Sequence, residues 1–283
     1  MAAFLDALHG NGKLLWIDAS AYAGKLLAGG RIPWLDVSAY VAWQRKAQGL
    51  LKADVIAVPL DAAIEAWLAA HPALVTSMAE KKRVLFPLKT LLADAGLRAH
   101  LVELVVGLRS SFAKTPLMLV LPSPRRWIAG AYAQASGNSD ALDIGADEID
   151  SAAVYVADFL RAFGDSALDG LVLQEAREAA GSQPLQAAEL EWYQPVINVA
   201  AHYRWDLGLQ VDGEGSALAG ATALGFVIAT AAVAGLISGV VTPASYWSGG
   251  AAPPGSASGF RFAEIPADAN PEQVLDRLAA LRG

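Results

Sequence analysis

The sequence predicts an α/β protein built as a single (β/α)8 TIM-type barrel over residues 1–283, with a somewhat irregular C-terminal half. Three observations predict it. Short, continuous apolar runs recur along the chain between turn residues, as expected of parallel strands covered on both faces. Segments with helical spacing alternate with these runs, which is the element order of α/β folds. The runs number eight or nine, which suits a closed barrel better than an open sheet. With 283 residues, 54% of them hydrophobic, the chain can bury a large core, and no linker divides it.

Lys13–Asp18 (KLLWID) reads as the first strand and ends on a carboxylate. Ala19–Gly30 follows as a loop or short helix closed by paired glycines. Asp36 caps a helix in which Val37, Tyr40, Val41, Ala47 and Leu50 recur on one face. Ala53–Pro59 is the second strand, and Asp61 caps a short helix to Ala70. Arg83–Leu88 (RVLFPL) reads as a third strand, and Lys89–Phe112 as a helix broken at Gly96. Thr115–Leu121 is a fourth strand, stopped by Pro122-Ser123-Pro124. A helix over Arg125–Ala135 leads into the polar, turn-rich Ser136–Ala146, a lid candidate. Asp147–Phe163 is amphipathic and ends at Gly164, and Leu168–Leu173 is a fifth strand.

Trp192–Gly213 concentrates reactive side chains. Its runs Pro195–Val199 and Leu207–Val211 read as strands flanking His202, Tyr203, Arg204, Trp205 and Asp206. Gly225–Ala229 and Leu236–Val241 are further strands. A Gly/Pro/Ser loop, Ala244–Gly259, leads to an extended Phe260–Ile265. Pro271–Leu281 is a terminal helix capped by Asn270, with proline in its first turn.

Composition excludes several functions. A net charge of −7 and a pI near 5.1 argue against nucleic acid and anionic membranes as partners, because both repel an acidic surface. The absence of cysteine rules out disulfides, zinc–thiolate sites, iron–sulfur clusters and thiol nucleophiles. His9, His71, His100 and His202 do not sit at ligand spacing, so no histidine-held metal and no cofactor is expected, while a carboxylate-bound metal stays open. The N-terminal stretch lacks the charged start and apolar core of a signal peptide, and the expected compartment is cytoplasmic. Ala217–Val241 is uncharged and long enough to suggest a membrane helix. Its four glycines and strand-like clusters, and the absence of a basic flank, favour buried strands instead. Dinucleotide, P-loop, esterase-elbow and zinc-protease motifs are absent.

In a barrel the site lies at the C-terminal ends of the strands. Those ends supply Asp18, Pro59–Asp61, Lys89, Pro122–Arg126, Glu175, His202–Arg204, Asp212 and Tyr246–Trp247. Glu175 follows a wholly apolar strand and His202 is the only histidine near strand ends, so these two are the expected proton-transfer groups, with Asp212 and Asp18 as further candidate acids. Arg125 and Arg126 open a helix and suit a carboxylate or phosphate. Arg204, Tyr22 and Lys25 add polar contacts, while Tyr246 and Trp247 either wall a pocket or pack their loop.

Three segments resemble the superfamily of uroporphyrinogen decarboxylase and cobalamin-independent methionine synthase. LWIDASAYAGKLL, with Ala23-Gly24-Lys25, is similar to the Ala-Gly-Arg segment after the decarboxylases' first strand. PLMLVLPSP, with Ser123-Pro124, resembles the superfamily's strand ending in Gly-Pro, and NPEQVLDRLAAL resembles its terminal helix. The resemblance implies a barrel with a small-molecule site at its mouth. There are departures. Ala21 and Lys25 stand in the decarboxylases' arginine-rich loop, which disfavours a porphyrinogen. The methyltransferase branch binds zinc through His and Cys, and this chain has no Cys. The resulting expectation is a metal-independent, decarboxylase-like lyase acting on a small organic carboxylate. The alternatives are a methyltransferase of the same superfamily and a non-catalytic ligand-binding or partner subunit. Homo- or hetero-oligomerisation is left open.

Overall fold

The computed structural model describes residues 4–11, 14–137, 142–175, 184–252 and 259–283, with backbone alone at 9–11. Eight strands are formed: β1 (Leu15–Asp18), β2 (Ile56–Pro59), β3 (Leu117–Pro122), β4 (Gly170–Gln174), β5 (Asp206–Gln210), β6 (Phe226–Ala229), β7 (Ile237–Val241) and β8 (Gly259–Glu264). The helices are α1 (Phe4–Asn11), α2 (Ser20–Ala28), α3 (Val37–Leu51), α4 (Leu60–Ala70), α5 (Pro72–Met78), α6 (Phe86–Ala93), α7 (Ala95–Ser111), α8 (Pro124–Ser136), α9 (Ala146–Leu160), α10 (Gln194–Tyr203) and α11 (Pro271–Arg282). Every strand pairing is parallel, in the order β1-β8-β7-β6-β5-β4-β3-β2, so the chain forms the (β/α)8 barrel that its apolar runs predict. Beyond β5 only α11 is a full helix among the described residues; β6 and β7 are joined by turns, which is the irregular half.

The ring is laddered everywhere except between β1 and β2. There Asp54 bridges the gap. Its carboxylate accepts from the Leu15 N–H at 2.8 Å, and its own N–H donates to the Leu15 carbonyl at 3.2 Å. A void of about 40 Å³ runs along this seam, touching Asp18, Ala57 and Gln48.

Strand side chains alternate between the barrel interior and the helix layer. Trp16, Met118, Val120, Val172, Phe226, Ile228, Phe260 and Phe262 fill the interior. Space for the rings comes from glycines: a Cβ on Gly208 would stand 2.2 Å from the Phe226 ring, and one on Gly239 would stand 2.4 Å from Phe260. Phe4 on α1 closes the N-terminal end, its ring 4.8 Å from Phe226, 5.1 Å from Phe260 and 5.4 Å from Trp16. The outward-facing strand residues pack against the helices in a second, larger core.

Two expected strands are helices. Residues 83–88 fall partly in α6, and 195–199 lie within α10. Each helix has proline in its first turn, Pro87 and Pro195, where the missing N–H has no partner to lose. Lys89 is therefore an exposed residue of α6 and does not end a strand. The helix break falls at Asp94, whose side chain accepts from Leu97 N–H at 2.6 Å, not at Gly96. Asp61 lies inside the first turn of α4 and bonds the neighbouring Ala62 N–H at 2.9 Å; the N-cap position is Pro59. Asp36 and Asn270 cap their helices as expected. Ala217–Val241 contains β6 and β7, and no helix of the described residues is long and apolar enough to cross a membrane. Residues 138–141 of the lid candidate and 253–258 of the Gly/Pro/Ser loop lie outside the described residues.

Candidate functional site at the barrel mouth

The interior residues of one strand face fix which polar groups reach the mouth. Trp16 points inward, so Asp18 at the end of β1 does too. Val172 likewise aligns Gln174 on β4, and Gly208 aligns Gln210 on β5. The two glutamines are register neighbours, and the Gln174 amide donates to the Gln210 carbonyl oxygen at 3.1 Å. Arg126, in the first turn of α8, donates to Gln174 Oε1 at 2.9 Å and reaches Asp61 at 3.5 Å. Desolvation pushes the Asp18 carboxyl above its ordinary value. The nearby Asp61 charge adds to this, and the Ser20 N–H, at 3.2 Å, opposes it. The mouth thus holds a carboxyl that keeps its proton more readily than usual, a guanidinium, and two amides (one a donor, one an acceptor).

Arg126 is presented by local sequence. Pro122 ends β3, Ser123 caps α8 by accepting from the Arg126 N–H at 3.2 Å, and Pro124 starts the helix. The arginine therefore leaves the first helical turn directly over the strand ends.

A second polar cluster stands beside the first. Glu175 is buried, and its carboxylate accepts from Ser123 Oγ at 2.8 Å, Tyr193 Oη at 2.6 Å and Arg125 Nε at 3.3 Å. Burial, and then the Glu175 charge, push the Tyr193 phenol well above its ordinary range. Glu175 faces away from the barrel interior, on the opposite parity to Gln174, and ties β4 to the start of α8. Arg125, Glu175 and Asp212 line a cleft of about 160 Å³, so these three expected residues are brought together.

The other expected residues are not. His202 and Arg204 sit at the C-terminal end of α10, just before β5 begins, which puts them at the opposite end of the barrel from the mouth. Both are exposed. The reason is the conversion of 195–199 from strand to helix, which moves the following residues from a strand's end to a strand's start. Tyr22, Tyr246 and Trp247 are buried in a packed cluster with Val274 and Leu278 of α11, and Tyr246 Oη donates to the Arg277 carbonyl at 2.8 Å. Burial pushes the Tyr22 phenol up. Lys25 is exposed on α2. The strand ends named from the sequence include Asp61, also expected as a cap, but not Gln174 or Gln210. Counting alternate residues back from the strand ends identifies Gln174 and Gln210, whereas their residue type gives no signal.

Zinc, which the methyltransferase branch would imply, does not fit. The chain has no cysteine, and among the described residues no group of three His, Cys, Asp or Glu side chains could hold a metal. No family model matches the chain, and no curated protein matches it. Among solved structures it is similar to a methyltransferase from Methanosarcina mazei, with a TM-score of 0.54 and 11% sequence identity, over 95% of this chain and 91% of that one. At that identity the likeness shows a shared barrel fold.

Proposed function

We propose that the mouth is a methyl-transfer site in which Asp18 is the proton donor and Arg126 holds the substrate. The observation that carries this reading is the desolvated Asp18 carboxyl at the end of β1, within reach of the Asp61 charge, with Asp61 in turn reached by Arg126 of the Arg126–Gln174–Gln210 row. The fold shared with a methyltransferase supports methyl transfer over decarboxylation. The decarboxylase reading also loses one of its expected carboxylate anchors, since Lys25 is exposed on α2.

The chemistry needs no metal. An external thiolate attacks the methyl carbon of a methoxy, methylamino or methylthio compound. The carbon–sulfur bond forms as the bond to the leaving heteroatom breaks, and Asp18 gives its proton to that heteroatom. Water then reprotonates Asp18. The raised carboxyl suits this role because it is still protonated where an ordinary aspartate is ionised. At a fixed thiolate concentration the rate should therefore fall as pH rises through the Asp18 value, and at a fixed total thiol concentration it should rise and then level off there.

The test is ¹³C NMR of methyl-labelled methoxy, methylamino and methylthio compounds with dithiothreitol as acceptor. The expected result is a protein-dependent methyl thioether signal that drops roughly a hundredfold in Asp18→Asn, while Arg126→Met raises KM more than it lowers kcat. Transfer that is indifferent to Asp18→Asn, or no transfer from any compound by folded protein, removes the proposal.

A further inference from the structure

From the mouth a groove of about 460 Å³ extends outward between α4 and α8. Its inner end is polar and belongs to the site already described, with Asp61 and Arg126 lining it. Along its length it is mainly apolar, bordered by Ile64 and Leu68 of α4 and by Trp127 of α8, with the exposed Glu65 and Gln134 also lining it. The α8 side is cut low by small residues, Ala129, Gly130 and Ala133. Gly130 is informative. Its backbone is ordinary helix and a Cβ there would meet nothing within 4 Å, so neither conformation nor packing calls for glycine. Gly107 on α7 is different: a Cβ there would stand 3.0 Å from Val41. A glycine inside a helix costs about 1 kcal/mol relative to alanine. Gly49 inside α3 also has open space around it, and what sets Gly130 apart is that its open space is the groove.

We propose that the substrate of the mouth is amphipathic. A hydrogen-bond-accepting end meets the Arg126 guanidinium, and an apolar body lies along the groove between α4 and α8. This rests on the mouth being the reaction site. The volume falls in the roughly 300–1,000 Å³ range of small-molecule pockets, and Arg126 and Asp61 of the mouth line one end of the groove. Those two features assign it to a small molecule and not to a partner's helix. Apolar contact along the groove supplies affinity, while Arg126 fixes which end faces Asp18.

The probe is 1-anilinonaphthalene-8-sulfonate, which has an aromatic body and an anionic end, titrated against the full chain and followed by its fluorescence. One saturable site is expected, displaced by octanoate and not by acetate at equal concentration. Gly130→Trp should weaken probe binding roughly tenfold or more by filling the groove, whereas Gly130→Ala should stay within about twofold. Arg126→Met should weaken octanoate about tenfold. If Gly130→Trp does not fold, Ala129→Glu serves by placing a charge in the groove. Unchanged binding in a folded groove variant, competition by acetate as strong as by octanoate, or a signal that tracks dimer formation would overturn the proposal. Binding with this pattern but no methyl transfer refutes only the reaction; methyl transfer without it refutes only the groove.

Discussion

Asp18 shows the tension between stability and chemistry at the level of one side chain. Its carboxyl is desolvated and lies near a second acid, so the folded state holds its proton more tightly than the unfolded chain does. The sign follows from linkage. Between the ordinary carboxylate pKa and the raised folded value, the native state binds more protons than the unfolded state, and stability falls as pH rises through that window. Asp18→Asn should therefore be more stable than the parent near pH 7, with the gain shrinking as pH is lowered towards about 4. Asparagine can still accept from the Ser20 N–H. Thermal melts at the two pH values check this; an equal gain at both, or a loss at neutral pH, would mean that burial does not strain the ionised acid. Asp169 is the contrasting case at the barrel's other end. Its buried carboxylate accepts from the Leu117 N–H at 2.8 Å and pairs with Arg109, which also donates to the Ala167, Phe112 and Thr115 carbonyls. That acid is fully occupied by structural partners.

Among the elements, α1 has a role out of proportion to its length. Its Phe4 ring stands among Trp16, Phe226 and Phe260 and seals the floor of the barrel. The Leu5 N–H donates to the Asp206 carboxylate at 2.9 Å, which fastens the helix to the start of β5. Phe4→Ala should lower stability by about 3–5 kcal/mol, the usual result of emptying a buried aromatic site. Urea unfolding measures it, and a loss below about 1 kcal/mol would show that the floor closes without the ring. The elements also show what was readable in the residues. Strands such as LMLVLP and GLVLQ were legible because both faces are buried, leaving an uninterrupted apolar run. RVLFPL and PVINV have the same texture but are helical, since a run of that length has no period that separates the two states. Pro87 and Pro195 were the available signal: proline followed by apolar residues begins a helix as readily as it ends a strand. The second misreading carried His202 and Arg204 into the expected site. Arg126, with Arg125, was legible as a basic pair between the end of an apolar strand and the start of a helix. Asp61 and the two glutamines take their meaning only from which strand ends converge.

For the whole molecule, the barrel is a rolled sheet whose two outer strands meet without a ladder. Asp54 joins them by one side-chain and one backbone hydrogen bond to Leu15. Asp54→Ala should lower stability by about 1–3 kcal/mol, because the Leu15 N–H loses its acceptor. It should also speed hydrogen exchange in β1 and β2 while leaving β3 to β6 protected. Exchange mass spectrometry reads both regions together, and a uniform acceleration around the barrel would mean that the seam is no weaker than the rest.

That seam has a further consequence for the acid beside it. A hoop laced at seven joints and knotted at one gives way at the knot, so any stretching of the rim gathers where Asp18 stands. Solvent admitted there would hydrate the carboxyl and return it towards an everyday acidity. The grip on the proton thus follows how tightly the hoop is drawn: a closed rim keeps the carboxyl protonated, and an opened one lets it ionise.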